Sequence, residues 1–253
     1  MRKAFAFISL IAACLLLLTA WVVTSIQISA FDKAFYTDQY NKLQLSFITR
    51  LSQADYANGM KDLLDYIDGS KQQIDVQGTI DGVQQPIFQD QTEVKHMVDV
   101  RTLYNDAMYV RNVCIILGVV LLALGVFLSN RRALRNFAVS YLISTGALAI
   151  FIGVLGIWAA SDFNSFWTSF HRVMFGTQNN DWILNPLTST MIRMLPGELF
   201  DALVMRIMAL AAGVAGGVAV LCIAYLPVSK RLEKKREPKP LHEDPLQLDV
   251  NQN

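Results

Sequence analysis

Four apolar segments, at about residues 5–26, 113–128, 137–160 and 202–226, divide this chain of 253 residues. The hydrocarbon core of a bilayer is about 30 Å thick, and about 20 helical residues cross it. The second segment is shorter than that, so we expect helical residues before it to extend it. Because lipid offers no partner for open backbone N–H and C=O groups, each segment must be helical. A hydrophobic content of 53% also points to a membrane protein.

Basic residues set the orientation of these segments. They precede the first segment, fill the connection between the second and third, and follow the fourth: Arg2, Lys3, Arg131, Arg132, Arg135, Lys230, Arg231, Lys234, Lys235 and Arg236. Lys and Arg accumulate in cytoplasmic loops, and the three clusters share one side if the chain crosses four times. We therefore predict a multi-pass cell-membrane protein with cytoplasmic N- and C-termini.

The fold class that follows is an all-α membrane protein, with four transmembrane helices and a small extracellular α+β cap. The basic start resembles a signal peptide, but its apolar core is too long, so we expect the first segment to stay uncleaved. The predicted division is transmembrane helix 1 at 1–26, extracellular cap at 27–112, transmembrane helix 2 at 113–129, cytoplasmic loop at 130–136, transmembrane helix 3 at 137–160, second extracellular segment at 161–201, transmembrane helix 4 at 202–226 and disordered cytoplasmic tail at 227–253.

Turn and capping residues predict the elements of the cap. Ser52 can cap a helix over Gln53–Ile67 that ends near Gly69. Alternating residues at 74–77 and 83–85, interrupted by Gly78 and by Asp81-Gly82, predict a short hairpin or an irregular extended pair. Pro86 would make its second strand an edge strand.

A histidine flanked by acids lies on the helix that follows. Asp90 and Glu93 have the spacing of a capping box, and no helix breaker separates them from the second span. Glu93, His96 and Asp99 recur every three residues and share a face. A carboxylate at that spacing can hold an imidazole tautomer and raise its basicity. The alternative is a solvated helix face that happens to carry a histidine.

A second histidine lies in an aromatic stretch. We expect the third span to continue as a helix as far as Phe175, ending near Gly176, with Trp167 and His171 as neighbours on one face. An interfacial aromatic belt is the alternative. It explains the rings of this stretch, but it explains His171 less well.

Before and within the fourth span, three features stand out. Residues 188–195 predict a short surface helix, and Pro196 suits the first turn of the fourth span. Arg206 lies inside that span with Asp201 as the nearest partner in sequence, and snorkelling to the interface or binding a lipid headgroup both remain open. Gly213 and Gly217 form a GxxxG pair that would let another span approach.

Several classes of function lack support in the sequence. The chain has no Gly-rich phosphate loop, CxxC pair, HExxH or GxSxG motif. Its cysteines lie in apolar runs, no third strong ligand joins the two histidines, and the net charge is +1. We therefore expect no metal, no cofactor and no nucleic acid. The third histidine, His242, lies in the tail and is expected to have no role.

Two motifs in order, on one predicted side of the membrane, resemble a known family. The first is Glu-x-x-His-Met-x-Asp-Val-Arg at 93–101, and the second is Phe-His-x-x-x-Phe at 170–175 with Asp-Trp at 181–182. Together with four spans, they resemble the lipoprotein intramolecular transacylases of Gram-positive bacteria.

This resemblance implies a specific reaction. The substrates would be diacylglyceryl-modified lipoproteins in membrane lipid, and the enzyme, expected to be a monomer, would move the sn-2 acyl chain to the α-amino group of the N-terminal cysteine. The product would be a lyso-form lipoprotein. His96, assisted by Asp99, is expected to be the base, and His171 the acid or the oxyanion partner. The residues expected to bind substrate or support the site are Glu93, Asp99, Arg101, Phe170, Phe175, Asn180, Trp182 and Arg206.

Two alternatives remain open at this point. An intermolecular acyltransferase or lipid hydrolase could use the same two histidines. A non-enzymatic membrane accessory protein would need neither of them.

Overall fold

A computed structural model describes residues 1–185 and 187–236, without the side chains of 232–236. It is mostly helical with one small two-stranded sheet, in agreement with the predicted class. Residues 237–253, with His242 and most of the predicted tail, and Pro186 lie outside the described residues. The elements in chain order are α1 Arg2–Ala30, α2 Lys33–Lys42, α3 Leu45–Thr49, α4 Gln53–Ile67, β1 Gln77–Ile80, β2 Val83–Pro86, α5 Gln91–Ser129, a 3₁₀ turn Asn130–Arg132, α6 Ala133–Ser161, α7 Phe163–Phe175, α8 Thr190–Met194 and α9 Gly197–Arg236.

Three helical stretches of the described chain are long and apolar enough to cross a membrane, namely Arg2–Ala30, Gln91–Ser161 and Gly197–Arg231. The middle stretch contains both α5 and α6. Gly125 of α5 packs on Leu10 of α1, and Ser144 of α6 donates a hydrogen bond to the neighbouring carbonyl of Ile11. Because both residues meet α1 at one level, the chain folds back at the 3₁₀ turn between them. Four crossings remain the prediction for these helices.

Small residues let α1 and α5 approach closely. A Cβ at Gly125 would lie 2.6 Å from Cγ of Leu10, and one at Gly118 would lie 2.8 Å from Cγ of Leu17. These paired contacts make the two helices antiparallel.

The packing of α9 differs from the prediction. Trp21 donates to the carbonyl of Ala211 at 3.1 Å, and Cys222 shares a buried cluster with Cys14, so α9 is antiparallel to α1. No described atom lies within 4 Å of a Cβ built on Gly213 or Gly217. Neither glycine therefore makes a close helix contact among the described residues, although α6 meets α9 at Ala215 between them. The helix also runs past its predicted end at residue 226.

The helix and the hairpin predicted for the cap form where the capping and turn residues indicated. Ser52 accepts a hydrogen bond from the amide of Asp55 at 3.0 Å and caps α4. Strands β1 and β2 are antiparallel, with Ile80 opposite Val83. Asp81 and Gly82 turn the chain with φ of 53° and 78°, as a tight hairpin requires. Gly78 lies within β1 and does not interrupt it.

The predicted cap and the segment that joins α7 to α9 share one core. Tyr56 of α4 is fully buried and donates through its hydroxyl to the carbonyl of Met194, at the end of α8, at 3.0 Å. Ile87, Met97 and Leu199 belong to the same buried cluster. This packing fixes α5, α8 and the start of α9 relative to one another.

One helix breaks where the sequence predicted continuity. Asp162 is extended, with φ of −151° and ψ of 85°, and its carboxylate accepts the amide hydrogen bond of Ser165 at 2.9 Å. The third long helix therefore ends at Ser161, and α7 begins anew at Phe163. By contrast, α5 continues without interruption from its Asp90 capping box to Ser129, as predicted.

Candidate active site

Two imidazole rings meet beneath the cap. The centroids of His96 on α5 and His171 on α7 lie 6.0 Å apart, with an interplanar angle of 32°. Both residues lie outside the predicted membrane-spanning segments. The distance allows both rings to contact one small polar group placed between them.

Aromatic side chains enclose His171, which is only 4% exposed. Trp182 stacks on its ring at 4.6 Å between centroids, and Trp167 lies 4.4 Å away. Phe170 and Phe175 lie at 5.3 Å and 5.6 Å. Phe170, Phe175 and Trp182, which the sequence placed at the site, all reach this histidine, and the stack fixes the plane of its ring.

A hydrogen bond determines the tautomer of His171. Its Nδ1 lies 2.8 Å from the carbonyl oxygen of Trp167, one helical turn earlier. A carbonyl oxygen can only accept, so Nδ1 carries the hydrogen. In the neutral ring the lone pair is then on Nε2, which is free to accept a proton.

Burial lowers the pKa of both histidines. The pKa of His96 falls from 6.5 to about 4, first because burial disfavours the charged ring and then because His171 is close. Asp99 and Asp181 act in the opposite direction but are outweighed. Burial also lowers the pKa of His171, against the hydrogen bond to Trp167. Both rings are therefore neutral at neutral pH. The effect expected of Asp99 on the pKa of His96 is present, but burial decides the net direction.

The Nδ1 atom of His96 is buried and has no hydrogen-bond partner among the described residues. Leaving a buried polar atom unsatisfied costs free energy, and such atoms concentrate at functional sites. Asp99 does not satisfy it, and its carboxylate instead accepts a hydrogen bond from the side-chain amide of Asn179 at 2.7 Å. Asp99 therefore anchors the loop after α7 and does not hold the imidazole.

Asn179, which sequence reasoning missed in favour of Asn180, organises that loop. Its side-chain oxygen accepts the amide of Asp181 at 2.9 Å, and its carbonyl accepts the indole N–H of Trp182 at 3.0 Å. Asn180 contributes a backbone carbonyl to Ile183. The Asn-x-Asp pattern at 179–181 is typical of a side chain that caps its own turn, and it was the available signal.

Glu93 accepts the backbone N–H of Asp90 at 3.4 Å, as the capping box predicts, and it also has partners that the sequence did not indicate. Its carboxylate, in a residue 1% exposed, accepts the hydroxyl of Ser189 at 2.5 Å and the amide of Met191 at 2.9 Å. Both partners lie at the start of α8, which lines the site. The residue therefore joins α5 to α8 and does not orient His96.

Replacing Glu93 with alanine is expected to lower the free energy of unfolding by about 2–5 kcal/mol, because the Ser189 hydroxyl and the Met191 amide lose their buried acceptor. The midpoint of thermal unfolding in detergent measures the change. Glu198→Ala is the matched control, since Glu198 is exposed on the first turn of α9, and we expect a change below about 1 kcal/mol there. Equal losses in both variants would contradict the assigned role.

Two arginines that the sequence placed at the site lie elsewhere. Arg101 covers the ring of Tyr66 at 4.9 Å and donates to the carbonyl of Lys71, so it holds the cap together. Arg206 pairs with Asp32, and not with Asp201 as expected. These contacts come from the first outer segment, which sequence proximity did not indicate.

A cavity of about 240 Å³ lies beside the two histidines. Its walls are mostly apolar and come from α5, α7, the following loop, α8 and the start of α9, including Met97, Phe163, Trp167, Trp182, Met191 and Phe200. Among the described residues, no group of three His, Cys, Asp or Glu side chains could hold a metal ion. The site thus offers two neutral imidazoles beside a mostly apolar cavity.

Comparison with known proteins identifies similar sequences and folds. The sequence profile of the family described as "Lipoprotein intramolecular transacylase Lit" matches residues 10–200. The in meso structure of the membrane integral lipoprotein intramolecular transacylase Lit from Bacillus cereus is similar with a TM-score of 0.66 at 18% identity, covering 89% of this chain and 97% of that chain. The comparison with curated protein sequences gives no significant match.

Two further structures of the Bacillus cereus protein carry a histidine substitution. The variant with arginine gives a TM-score of 0.65, and the variant with alanine gives 0.67, both at 18% identity. They cover 89% of this chain, and 93% and 94% of their own chains. At this identity the likeness shows a shared fold.

Proposed function

The chain belongs to the lipoprotein intramolecular transacylase family and is an acyltransferase, and from that premise we propose the reaction. The enzyme moves the acyl chain from the sn-2 oxygen of a diacylglyceryl-modified lipoprotein to the α-amino group of the same lipoprotein's N-terminal cysteine. The product is a lyso-form lipoprotein with one N-acyl and one O-acyl chain. No cofactor takes part.

The proposed topology places this site at the outer surface of the membrane. Helices α1, α5, α6 and α9 alternate in direction, and the basic residues of the 3₁₀ turn mark the cytoplasmic end. The histidines lie at the opposite end, under the cap. A lipid-anchored cysteine at the outer leaflet would reach them without leaving the membrane.

The main obstacle to the reaction is the folded shape that the substrate must adopt. Joining the amine nitrogen to the acyl carbon closes a ring of about eight atoms, which a flexible lipid seldom forms, so orientation by the protein is worth several kcal/mol. A confined aromatic cavity supports such folding and also excludes the water that would hydrolyse the ester.

The two imidazoles have different roles in the reaction. As the amine attacks the acyl carbon, Nε2 of His171 removes its proton, while an N–H of His96 donates to the oxyanion. When the carbon–oxygen bond breaks, the proton held by His171 passes to the sn-2 oxygen, so the reaction is proton-neutral. The tautomer that Trp167 imposes on His171, and the low pKa of His96, favour this assignment over the reverse assignment that the sequence suggested.

One observation carries the proposal: the 6.0 Å separation of two neutral imidazoles beside an apolar cavity. The test is mass spectrometry of a purified diacylglyceryl lipoprotein, incubated with and without the protein. We expect an unchanged mass, with one acyl group moved to nitrogen and the amine no longer reactive. Loss of one acyl mass would indicate a lipid hydrolase, and an unaltered substrate would favour an accessory protein.

The pH dependence follows from the neutral histidines. A free α-amino group has a pKa of about 7.7–8.0, so log kcat/KM should rise with a slope of about 1 between pH 6.5 and 7.5 and level off above about pH 8. Because burial holds the pKa of His171 below 6.5, protonation of its ring should steepen the slope only at lower pH. Initial rates on a soluble lipopeptide measure this profile. A slope near 2 already at pH 7 would contradict it.

A further inference from the structure

Only the inner half of α6 is packed into the helical bundle, where the inner end is the end at the 3₁₀ turn. The buried side chains of α6 are Ala138, Ser140, Tyr141 and Ser144. No side chain of α6 beyond Ser144 is buried. The outer half of this helix is therefore less tightly packed than the inner half.

Helix α9 contacts α6 near the inner end and α7 at the outer end. Near the inner end, the hydroxyl of Tyr141 donates to the carbonyl of Ala215 at 3.0 Å. At the outer end, the ring of Trp167 on α7 lies 5.6 Å from that of Phe200. At about 1.5 Å per residue, the two contacts are roughly 20 Å apart along α9.

Apolar side chains line the interval, which we name the α6–α9 window. Helical periodicity places Ile152 and Leu155 on the face of α6 that carries Tyr141, and both are half-buried. On α9, Val204 follows Phe200 by one turn and is 54% exposed. The walls of the window are thus purely hydrocarbon at these positions.

The upper edge of the window is the wall of the catalytic cavity. Trp167 and Phe200 close the window above, and the same two residues line the cavity. At about 240 Å³ the cavity is smaller than the roughly 300–1,000 Å³ of pockets that enclose a whole drug-sized ligand. A diacylglyceryl group with two long chains cannot be enclosed there, so its chains must leave through an apolar opening.

We propose that the α6–α9 window receives an acyl chain of the substrate, with the ester held in the cavity and the hydrocarbon reaching down between the helices. This assignment rests on the proposed function and adds where the lipid lies. A chain in the window stays in a hydrocarbon environment throughout the reaction, because the window opens sideways into the outer leaflet. The ester can therefore approach the histidines without exposing the chain to water.

A tryptophan substitution in the window tests whether the acyl chain lies there. Val204→Trp would narrow it, whereas Val154→Trp is the matched control, because Val154 is 61% exposed on the opposite face of α6. Each variant is assayed in detergent on two cysteinyl lipopeptides, one with dipalmitoyl and one with dibutanoyl glyceryl groups. Butanoyl chains are too short to extend far beyond the cavity, so they serve as an internal reference for folding and chemistry.

For Val204→Trp we expect the ratio of kcat/KM on the long-chain substrate to that on the short-chain substrate to fall by at least about tenfold. For Val154→Trp the ratio should stay within about twofold of the unsubstituted protein. If Val204→Trp does not fold, Ile152→Trp on the other wall takes its place with the same expectation.

Two results would overturn the proposed acyl-chain site. One is an unchanged ratio of long-chain to short-chain kcat/KM in the folded window variant, and the other is an equal fall of that ratio in the control. Failure of the proposed function looks different. The unsubstituted protein would then transfer neither substrate, and the function and the window would be abandoned together.

Discussion

Replacing His171 with glutamine is expected to lower kcat for acyl migration by about 100- to 10,000-fold, the range that a general base contributes. Glutamine retains polarity and similar size, but its amide cannot take a proton from the attacking amine. The change should fall on kcat more than on KM, because the aromatic walls that hold the substrate remain. Single-turnover rates on a purified lipopeptide measure it.

The third histidine provides the control. His242→Gln, outside the described residues and far from both motifs in sequence, is expected to leave the rate unchanged. Unfolding midpoints of both variants should match that of the unsubstituted protein to within a few degrees. A folded His171→Gln protein with rates within tenfold of the original would remove His171 from the mechanism.

Replacing His96 with alanine is expected to lower kcat by about 100- to 1,000-fold, the typical loss for one oxyanion donor. Its neutral N–H acts on charge that develops only in the transition state, so KM should again change little. Because the two histidines act on the same transition state, the double variant should be no more than about tenfold slower than the slower single variant.

The pH profile distinguishes the two roles. His96→Ala should retain the steeper slope at low pH that protonation of His171 causes, whereas His171→Gln should lose it. If the losses in the double variant simply multiplied, the histidines would be acting independently, and the division of roles would be wrong.

Local sequence signals were sufficient for the long apolar helices and for two helix starts, but they missed α2, α3, the break at Asp162 and the end of α9. Hydrophobic runs longer than the bilayer thickness indicated α1, α6 and α9, and Ser52 and Asp90 were correctly identified as caps. The hairpin followed from its Asp-Gly turn. These features depend on interactions over a few residues, which a single sequence displays directly.

Contacts between segments that are distant in sequence could not be predicted in the same way. Arg206 pairs with Asp32, 174 residues away, although Asp201 is nearer in sequence. Glu93 pairs with the start of α8, because the cap core brings that segment onto α5. In both cases a partner close in sequence was favoured, whereas tertiary packing decides which polar groups meet.

The sequence identified the two histidines and three of the aromatic residues around them, whereas Glu93, Arg101 and Arg206 make their contacts elsewhere and the effect of burial was not predicted. His96, His171, Phe170, Phe175 and Trp182 do come together. The sequence indicated the effect of Asp99 on the pKa of His96 but not the larger effect of burial, because an adjacent carboxylate is visible in a sequence while burial is not. The depth of burial depends on the loop that Asn179 anchors, and that loop could be placed only in three dimensions.

A crossover experiment tests the central claim most directly. Two lipopeptides are mixed with the protein, one with deuterated acyl chains on a light peptide and the other with ordinary chains on a heavy peptide. Transfer within one molecule predicts N-acylated products of the two parental masses alone. N-acylated products that combine the light peptide with an ordinary N-acyl chain, or the heavy peptide with a deuterated one, would contradict the account.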